Sequence, residues 1–310
     1  MRESSVIAGI VARNAELAAM GGARVLVPPG DDMALVELAG RRVLCAADQV
    51  IEHRHWDAGT PLELVARKAL ARNVSDIAAM AGVPSCALAT AAFAADAREA
   101  DAEAIAEGLR RAGREFRCPV VGGDVGMHAA AGAPLVVSVS VLAEPGPSGR
   151  VLTRAGARPG DLLCVTGRLG NAWGAAGTGR HLSFVPRTAE ALELVRILGD
   201  RLHAMIDISD GLAVDARHLA QSSGCSVEVD AAALPCAHGA EWQSALGAGE
   251  DYELAFACEG MPPAEACGTP VTVVGRFIDR QSPWVTAIVD GTRLDAGNLG
   301  WEHGRPERAP

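Results

Sequence analysis

Aspartates stand where predicted strands of this sequence give way to a loop or a helix, and this clustering is its most informative chemical feature. They are Asp31 and Asp32 in "PGDD", Asp48 in "CAADQ", Asp124 in "VGGD", and Asp207 and Asp210 in "IDISDG". Asp76, in "NVSD", differs because it lies within a predicted helix. Side chains at strand ends converge on one edge of an α/β sheet, and carboxylate oxygens select hard cations such as Mg²⁺. A dication beside Asp31 and Asp32 would also make two adjacent like charges tolerable.

Each of these aspartates also has a simpler structural interpretation. An aspartate after glycine is commonly a turn former, and Ser209 with Asp210 ahead of an apolar helix commonly caps that helix. An aspartate placed like Asp76, four residues after Arg72, is more often half of a solvated ion pair on a helix surface than a metal ligand. The number of such turns in one chain, rather than any single residue, favours a metal site.

The elements that must position these residues alternate between strands and helices, which predicts an α/β fold of two domains. The first half contains predicted strands at 41–50, 84–93, 118–124 and 133–144 and predicted helices at 61–82 and 97–113. The second half contains predicted strands at 161–167, 203–207, 225–230, 252–258 and 270–277 and predicted helices at 188–199 and 210–223. The Pro/Gly-rich run "EPGPSGR" at 144–150 is the predicted linker, and it divides the chain into domains 1–148 and 149–310.

Composition narrows the possible partners and location. The net charge of -10 argues against a nucleic-acid partner, because such binding depends on basic surface that displaces counterions. The longest apolar run, 86–95, is shorter than the roughly 20 residues of a membrane-spanning helix. Residues 1–20 lack the layout of a signal peptide, and the eight cysteines are scattered without a C-x-x-C pair. These features predict a cytoplasmic protein with reduced cysteines and no membrane partner.

Familiar phosphate-binding motifs are absent from the sequence. A P-loop requires Gly-Lys-Ser/Thr, whereas the sole lysine, Lys68, follows Arg67 and precedes Ala69. No G-x-G-x-x-G and no H-E-x-x-H motif occurs either. An acidic protein still binds phosphate compounds when divalent metals bridge the two sets of negative charge. Any nucleotide site here must therefore use another architecture.

An ordered set of segments resembles the thiamine-monophosphate kinase family. The segments are "PGDDMAL", "AADQVIEHRHW", "KALARNVSDIAAMAG", "VGGD", "LTRAGARPGDLLCVTGRLGNA", "MIDISDGLAVDARHLA" and "AGEDYELAF", which span about residues 30–276. That family belongs to the superfamily of aminoimidazole ribonucleotide synthetase, selenide water dikinase and the hydrogenase maturation dehydratase. The order and spacing of the whole set are far more specific than any one segment.

The resemblance implies a fold and an activity. The expected fold has an N-terminal α/β half whose sheet pairs with that of a second subunit, and a C-terminal α/β half packed against it. The expected reaction transfers the terminal phosphoryl group of ATP directly onto thiamine monophosphate, giving thiamine diphosphate, with several Mg²⁺ ions held by aspartates. ATP and thiamine monophosphate are thus the implied small-molecule partners of a homodimer.

The resemblance also assigns roles to residues by motif. The implied metal ligands are Asp31, Asp32, Asp48, Asp76, Asp124, Asp207 and Asp210, of which Asp48, Asp124 and Asp210 are the expected catalytic carboxylates. The implied nucleotide contacts are Gly123, Asp124, Arg154 and Ser209. The implied contacts of thiamine monophosphate are His55, Glu250 and Trp301. A histidine between Arg54 and Trp56 that only packs, and a C-terminal tryptophan that only covers an apolar edge, are the alternative interpretations.

Departures from the family pattern keep two further hypotheses open. Ala46 and Ala47 stand where Ser/Thr hydroxyls are usual, and Val125 and Gly126 stand where two threonines are typical. A non-catalytic binder of nucleotide or metal would explain these losses. Another ATP-dependent reaction of the superfamily is the second alternative, although a selenide enzyme would need a reactive Cys and Lys near its N-terminus. The first cysteine here is Cys45.

Overall fold

The computed structural model of the chain contains two separate sheets. It describes residues 22–174, 179–297 and 299–301, together with Gly9. Most of residues 1–20, on which the prediction of no signal peptide depends, lies outside the described residues. Among the residues that are described, no helix has both the length and the apolar character needed to cross a bilayer.

The first sheet belongs to the N-terminal half. Its strands are β1 (Ala23–Val27), β2 (Ala34–Leu38), β3 (Arg41–Ile51), β4 (Gly82–Phe93), β5 (Val120–Met127) and β6 (Val136–Pro145). Their order is β1-β2-β3-β6-β4-β5, and every neighbouring pair is antiparallel except β4 with β5. Two helices, α1 (Leu62–Ala79) and α2 (Glu99–Glu115), contribute to the core of this half.

The second sheet belongs to the C-terminal half. Its strands are β7 (Leu162–Thr166), β8 (Leu202–Asp207), β9 (Ser226–Asp230), β10 (Leu254–Cys258), β11 (Glu265–Ala266), β12 (Thr269–Ile278), β13 (Val285–Val289) and β14 (Thr292–Asp295). The order is β14-β13-β9-β12-β7-β10-β8, with β11 paired to β12. The helices are α3 (Thr188–Leu198), α4 (Leu212–Ser223) and α5 (Trp242–Gly247), and 3₁₀ turns occur at Arg180–Leu182, Gly199–Arg201 and Ala231–Ala233. Separate apolar clusters contain the residues of α4 and of α3.

Helix α1 lies between the two halves, and this position explains its composition. Twelve of its residues are buried, including polar ones, because the helix contacts β3 and β6 on one side and α3 and β8 on another. Ala, Leu and Arg are strong helix formers, and Pro61 at the N-cap fits a position whose N–H needs no helical partner. A helix enclosed in this way places polar side chains in the cleft between the halves.

The predicted two-domain mixed α/β architecture is confirmed. The first sheet ends with β6 at Pro145 and the second begins with β7 at Leu162, so the predicted linker at 144–150 falls largely between them. A domain boundary at 148/149 stays a prediction. Strand β1, the short strand β11, the β13–β14 hairpin and α5 were not anticipated from the sequence.

Candidate active site

Three carboxylates from distant parts of the chain converge in the cleft between the halves. Asp32 lies in the turn before β2, Asp76 in the last turns of α1, and Asp207 at the end of β8. One oxygen from each lies within 4.8 Å of the other two. Oxygen ligands of Mg²⁺ sit about 2.0–2.1 Å from the ion, so small rotations would bring this trio to coordination distance.

The electrostatics of this trio fit a bound cation. Burial, followed by the charges of Asp207, Asp48 and Asp32, raises the pKa of Asp76 well above its ordinary value. Burial and the charge of Asp32 raise the pKa of Asp207 to about 7. Oδ2 of Asp32 is buried and accepts no hydrogen bond from any described residue. Repelling carboxylates with an unsatisfied oxygen match the donor set that a hard dication requires.

Arg154 and Asp31 brace the turn that carries Asp32. The guanidinium of Arg154 donates to Oδ1 of Asp32 through Nη2 at 2.6 Å and Nε at 3.2 Å. The Asp31 carboxylate instead accepts backbone N–H groups, from Asp32 at 3.0 Å and from Arg154 at 3.0 and 3.2 Å. Burial and the neighbouring charge of Asp32 raise the pKa of Asp31 to about 6. Asp31 therefore stabilises the backbone of the site by accepting its N–H groups, and it is not one of the converging trio.

Asp48 lies at the rim of the same cluster. It extends from β3 and forms an ion pair with Arg72 of α1, with Nη2 and Oδ2 2.8 Å apart. Arg72 also donates to the carbonyl oxygen of Gln49 at 3.1 Å. The charge of Asp48 contributes to the raised pKa of Asp76, which places the two carboxylates in one electrostatic unit.

The loop that follows β8 is shaped by a buried carboxylate at position 215. Oδ2 of Asp215, in the first turn of α4, accepts the backbone N–H groups of Ser209 at 3.1 Å and Asp210 at 3.2 Å. Burial, then the charges of Asp210 and Asp207, raises the pKa of Asp215 well above its ordinary value. The loop thus holds Ser209 and Asp210 beside the trio through a residue that is itself buried.

Ser75 anchors Asp207 from the opposite side of the cleft. Its Oγ donates to Oδ2 of Asp207 at 2.6 Å, and both side chains are buried. Arg72 follows Lys68 by four residues, and Ser75 and Asp76 follow Arg72 by three and four residues, so the four side chains form a polar row along one face of α1. Residues of this polar row form hydrogen bonds or ion pairs with other segments that line the cleft: Ser75 with Asp207, Lys68 with Glu250, and Arg72 with Asp48.

The predicted acceptor contacts His55 and Glu250 lie together at the Lys68 end of this row. The buried ammonium of Lys68 donates to the carbonyl oxygen of His55 at 2.6 Å and forms an ion pair with Glu250. Burial and the charge of Arg72 lower the pKa of His55 to about 4. Burial favours the protonated form of Glu250, but the charges of Lys68 and Arg72 lower its pKa to about 2. The site thus combines a neutral imidazole with an ionised carboxylate.

Trp301 is joined to the loop that carries Asp210. Its backbone N–H donates to the carbonyl oxygen of Asp210 at 3.0 Å. The guanidinium of Arg54 lies 4.1 Å from the centroid of the Trp301 ring, within the range of a cation–π contact. The C-terminal tryptophan therefore borders the cleft, close to the segment that carries His55.

Gly123 and Asp124 lie apart from the trio, on the edge strand β5. Both are exposed and line a groove of about 730 Å³ between β5 and α2, together with Arg110 and Arg114. A Cβ at Gly123 would overlap the carbonyl oxygen of Ala89, so the close approach of β4 and β5 requires glycine there. Within one chain, the structure does not place Asp124 among the three converging carboxylates.

Comparison with known proteins agrees with this arrangement. Residues 30–144 match the family described as AIR synthase related protein, N-terminal domain, and residues 158–288 match its C-terminal domain. The thiamine-monophosphate kinase of Rhodopirellula baltica is 32% identical over 288 residues, covering 84% of this chain and 86% of the relative. That of Caulobacter vibrioides is 30% identical over 302 residues, covering 88% and 84%. The chain belongs to the thiamine-monophosphate kinase family.

A solved structure of a family member extends the likeness to the whole fold. AaThiL complexed with AMPPCP and TMP is 28% identical and superposes with a TM-score of 0.77, covering 98% of this chain and 99% of that one. The resemblance to this kinase family inferred from the sequence motifs is thereby confirmed.

Two groups that hold the site together were missed by the sequence reasoning. Ser75 stands next to Asp76 in the family motif "NVSD", and Asp215 is the third aspartate of "DISDGLAVD". Their position beside recognised ligands was the only available signal, since both act inside the fold. Ala46 and Ala47 lie on β3 just before Asp48, and Val125 is exposed on β5. None of these three side chains offers an oxygen to the site.

Proposed function

We propose that this chain transfers the terminal phosphoryl group of ATP onto the phosphate of thiamine monophosphate, giving thiamine diphosphate and ADP. The observation that carries the proposal is the convergence of Asp32, Asp76 and Asp207 from a turn, a helix and a strand end. Membership of the kinase family, and the likeness to a relative solved with an ATP analogue and TMP, support the same reaction.

The reaction requires little covalent chemistry from the protein. The bond between the γ-phosphorus and the oxygen bridging it to ADP breaks, while a phosphate oxygen of the acceptor forms a new bond to the same phosphorus. The acceptor oxygen is already ionised at neutral pH, so no general base is needed. Alignment of the two phosphates and neutralisation of their charge are the main tasks.

The aspartates of the cleft supply the oxygen ligands for Mg²⁺. Asp32, Asp76 and Asp207 would hold one ion, with Asp48 and Asp210 at its border. When bound, Mg²⁺ supplies the positive charge that lets two phosphorylated molecules approach each other. We assign Asp124 to the same role from the family motif, together with Gly123 as a nucleotide contact. Both lie on the edge strand β5, which would face the second subunit in the dimer proposed below.

The cationic residues of the cleft complete the charge balance. The planar guanidinium of Arg154 suits phosphate, and its ion pair with Asp32 gives it a fixed position near the trio. Arg72 is held by Asp48 in the same way. Ser209, whose backbone is fixed by Asp215, is the predicted nucleotide contact of this loop. These groups bind and orient the substrates.

A coupled assay of ADP release tests the proposal. ATP with thiamine monophosphate should give stoichiometric thiamine diphosphate, and excess EDTA should abolish turnover. Aminoimidazole ribonucleotide precursors and selenide, tested as alternative substrates, should give none. Turnover of either alternative without turnover of thiamine monophosphate would overturn the proposal.

A non-catalytic binder is the second candidate, motivated by the loss of side-chain oxygens at Ala46 and Ala47. Calorimetry with AMPPCP and Mg²⁺ separates the two. Binding of AMPPCP with no phosphorylation of thiamine monophosphate at any Mg²⁺ concentration would favour the binder. Binding with turnover would favour the kinase.

We further propose that the enzyme is a homodimer that pairs through its N-terminal sheet. Strand β5 is a sheet edge, and Val121, Val125 and Met127 on it are each more than 60% exposed. Leu142 on β6 adds to the exposed apolar surface. Val121→Lys should convert the dimer to a monomer in light scattering, whereas Met261→Lys, at an equally exposed site in the other half, should not.

We also infer a cytoplasmic location. All eight cysteines are free thiols, and none of them is paired even where Cys164 and Cys258 lie 3.8 Å apart. Reduced thiols are typical of the cytosol, where ATP is also supplied. Fractionation of the native host with a cytosolic marker tests this, and recovery in a secreted or membrane fraction would contradict it.

A further inference from the structure

Lys68 is the only lysine of the chain, although 28 residues are Lys or Arg. Every other basic residue is therefore arginine. Lys68 is also fully buried, with an exposed fraction of 0%. Burial of an ammonium group is costly unless acceptors surround it, so this position must supply them.

The fold supplies three acceptors to the ammonium. They are the carbonyl oxygen of His55 at 2.6 Å, the Glu250 carboxylate, and Nδ1 of His181 at 2.9 Å. A protonated lysine has three N–H donors and no lone pair, so Nδ1 of His181 must accept when Lys68 is charged. The ring of Trp173, stacked on His181, has its centroid 5.3 Å from Nζ. These three acceptors surround a space that fits a single compact ammonium group.

Two of the three acceptors, His55 and Glu250, belong to segments assigned to the phosphate acceptor. Glu250 has a left-handed backbone, with φ of 69°, and its N–H donates to the carbonyl oxygen of Ser209 at 2.7 Å. That conformation is uncommon for a residue with a side chain, so it needs external support. The bond to the His55 carbonyl fixes the second segment at the same time. Charge supports this arrangement too, because Lys68 helps to keep Glu250 ionised in a buried setting.

We infer that Lys68 is a positioning residue for the phosphate acceptor: one buried ammonium, without touching substrate, sets the Glu250 carboxylate and the His55 segment in the places where they meet thiamine monophosphate. The inference rests on the proposed function. Arginine does not replace lysine in this role, because its planar fork is larger and directs its donors differently. The polar row of α1 thus serves the metal centre at one end and acceptor binding at the other.

Steady-state kinetics of Lys68→Met and Lys68→Arg test the inference. Both should raise KM for thiamine monophosphate by at least about tenfold while KM for ATP stays within about twofold, and Glu250→Gln should show the same split. The double variant Lys68→Met/Glu250→Gln should be no worse than the poorer single one, because both act through one contact. Arg196→Met, which removes an exposed helical ion pair with Glu193, is the matched control and should leave both KM values unchanged.

Because the chain has one lysine, NMR of a ¹³C-labelled lysine side chain observes Lys68 directly. A full-length chain with ¹³Cε-lysine and no lysine in any tag has a single lysine Cε signal. Thiamine monophosphate should shift this signal in the wild type, AMPPCP should not, and Glu250→Gln should move it without any ligand. This measurement applies to the wild type, so it stands even if Lys68→Met fails to fold.

The outcomes separate this inference from the proposed function. If the wild type phosphorylates thiamine monophosphate but the Lys68 variants raise both KM values equally, the positioning role is wrong. A lysine signal that ignores thiamine monophosphate would refute it as well. A wild type that neither binds nor phosphorylates thiamine monophosphate would refute the proposed function itself, and the inference with it.

Discussion

Replacement of Asp207 by asparagine should make the metal-free protein more stable above neutral pH while it abolishes catalysis. The pKa of Asp207 rises from an ordinary value of 3.8 to about 7 in the fold, chiefly through burial and then through Asp32. A raised carboxyl pKa means that the folded state binds the proton more tightly than the unfolded state does. Stability from this group is therefore present below about pH 4 and is lost as the pH rises to about 7.

The size of the effect follows from that shift. About three pKa units at about 1.4 kcal/mol each amount to about 4 kcal/mol of destabilisation above pH 7. Asparagine removes this penalty and keeps an oxygen to accept the bond from Ser75, which is 2.6 Å long in the wild type. Its buried NH₂ group lacks a partner, at a cost of about 1–3 kcal/mol. The net gain for the metal-free variant at pH 8 is therefore about 1–3 kcal/mol.

Urea denaturation in EDTA at pH 5 and pH 8 measures this gain, and Mg²⁺ at pH 8 should offset it. An ion at 100 times its Kd should stabilise the wild type by about 2.7 kcal/mol and the variant far less. Asp290→Asn, in an exposed turn between β13 and β14, is the matched control and should change neither quantity. A variant that is less stable than wild type at pH 8 in EDTA, or that keeps the full response to Mg²⁺, would refute the account of the cluster.

Three further substitutions test the roles of individual groups. Asp48→Asn and Asp210→Asn should each remove most activity with the unfolding midpoint nearly unchanged, because they delete charge at almost constant volume; full activity in both variants would contradict the site assignment. Asp215→Asn should lower kcat/KM by about tenfold or more, because the loop at Asp210 loses a charged acceptor of two backbone N–H groups, and an unchanged Mg²⁺ titration of activity would argue against this. Trp301→Ala should raise KM for thiamine monophosphate by about tenfold if the ring stacks on the substrate, whereas an unaltered KM would assign the ring to packing within the protein.

The sequence determined the elements of the fold because their patterns are local. Helix α1 follows from its strong helix formers between Pro61 and Gly82, and the strands of both halves follow from short apolar runs bounded by turn residues. The β13–β14 hairpin was missed, since its outer strand Thr292–Asp295 is exposed along its whole length and lacks an apolar pattern.

The sequence also identified which residue types belong to the site, but tertiary structure decided how they are used. Asp31 and Asp32 are neighbours in the chain, yet one carboxylate serves backbone N–H groups and the other faces the metal position, because the turn directs them apart. Asp124 satisfies the same sequence criterion and lies on an edge strand outside the trio. No local pattern distinguishes these cases.

The roles of Ser75, Lys68 and Asp215 depended entirely on the tertiary structure. Ser75 contacts Asp207 and Lys68 contacts Glu250, and both partners are remote in sequence. Asp215 acts on the backbone of Ser209 in the loop before its own helix. Burial gives these contacts their strength, and burial arises only in the packed fold. The sequence by itself thus determined the family, the elements and the carboxylates, whereas the packed cleft decided which of them meet.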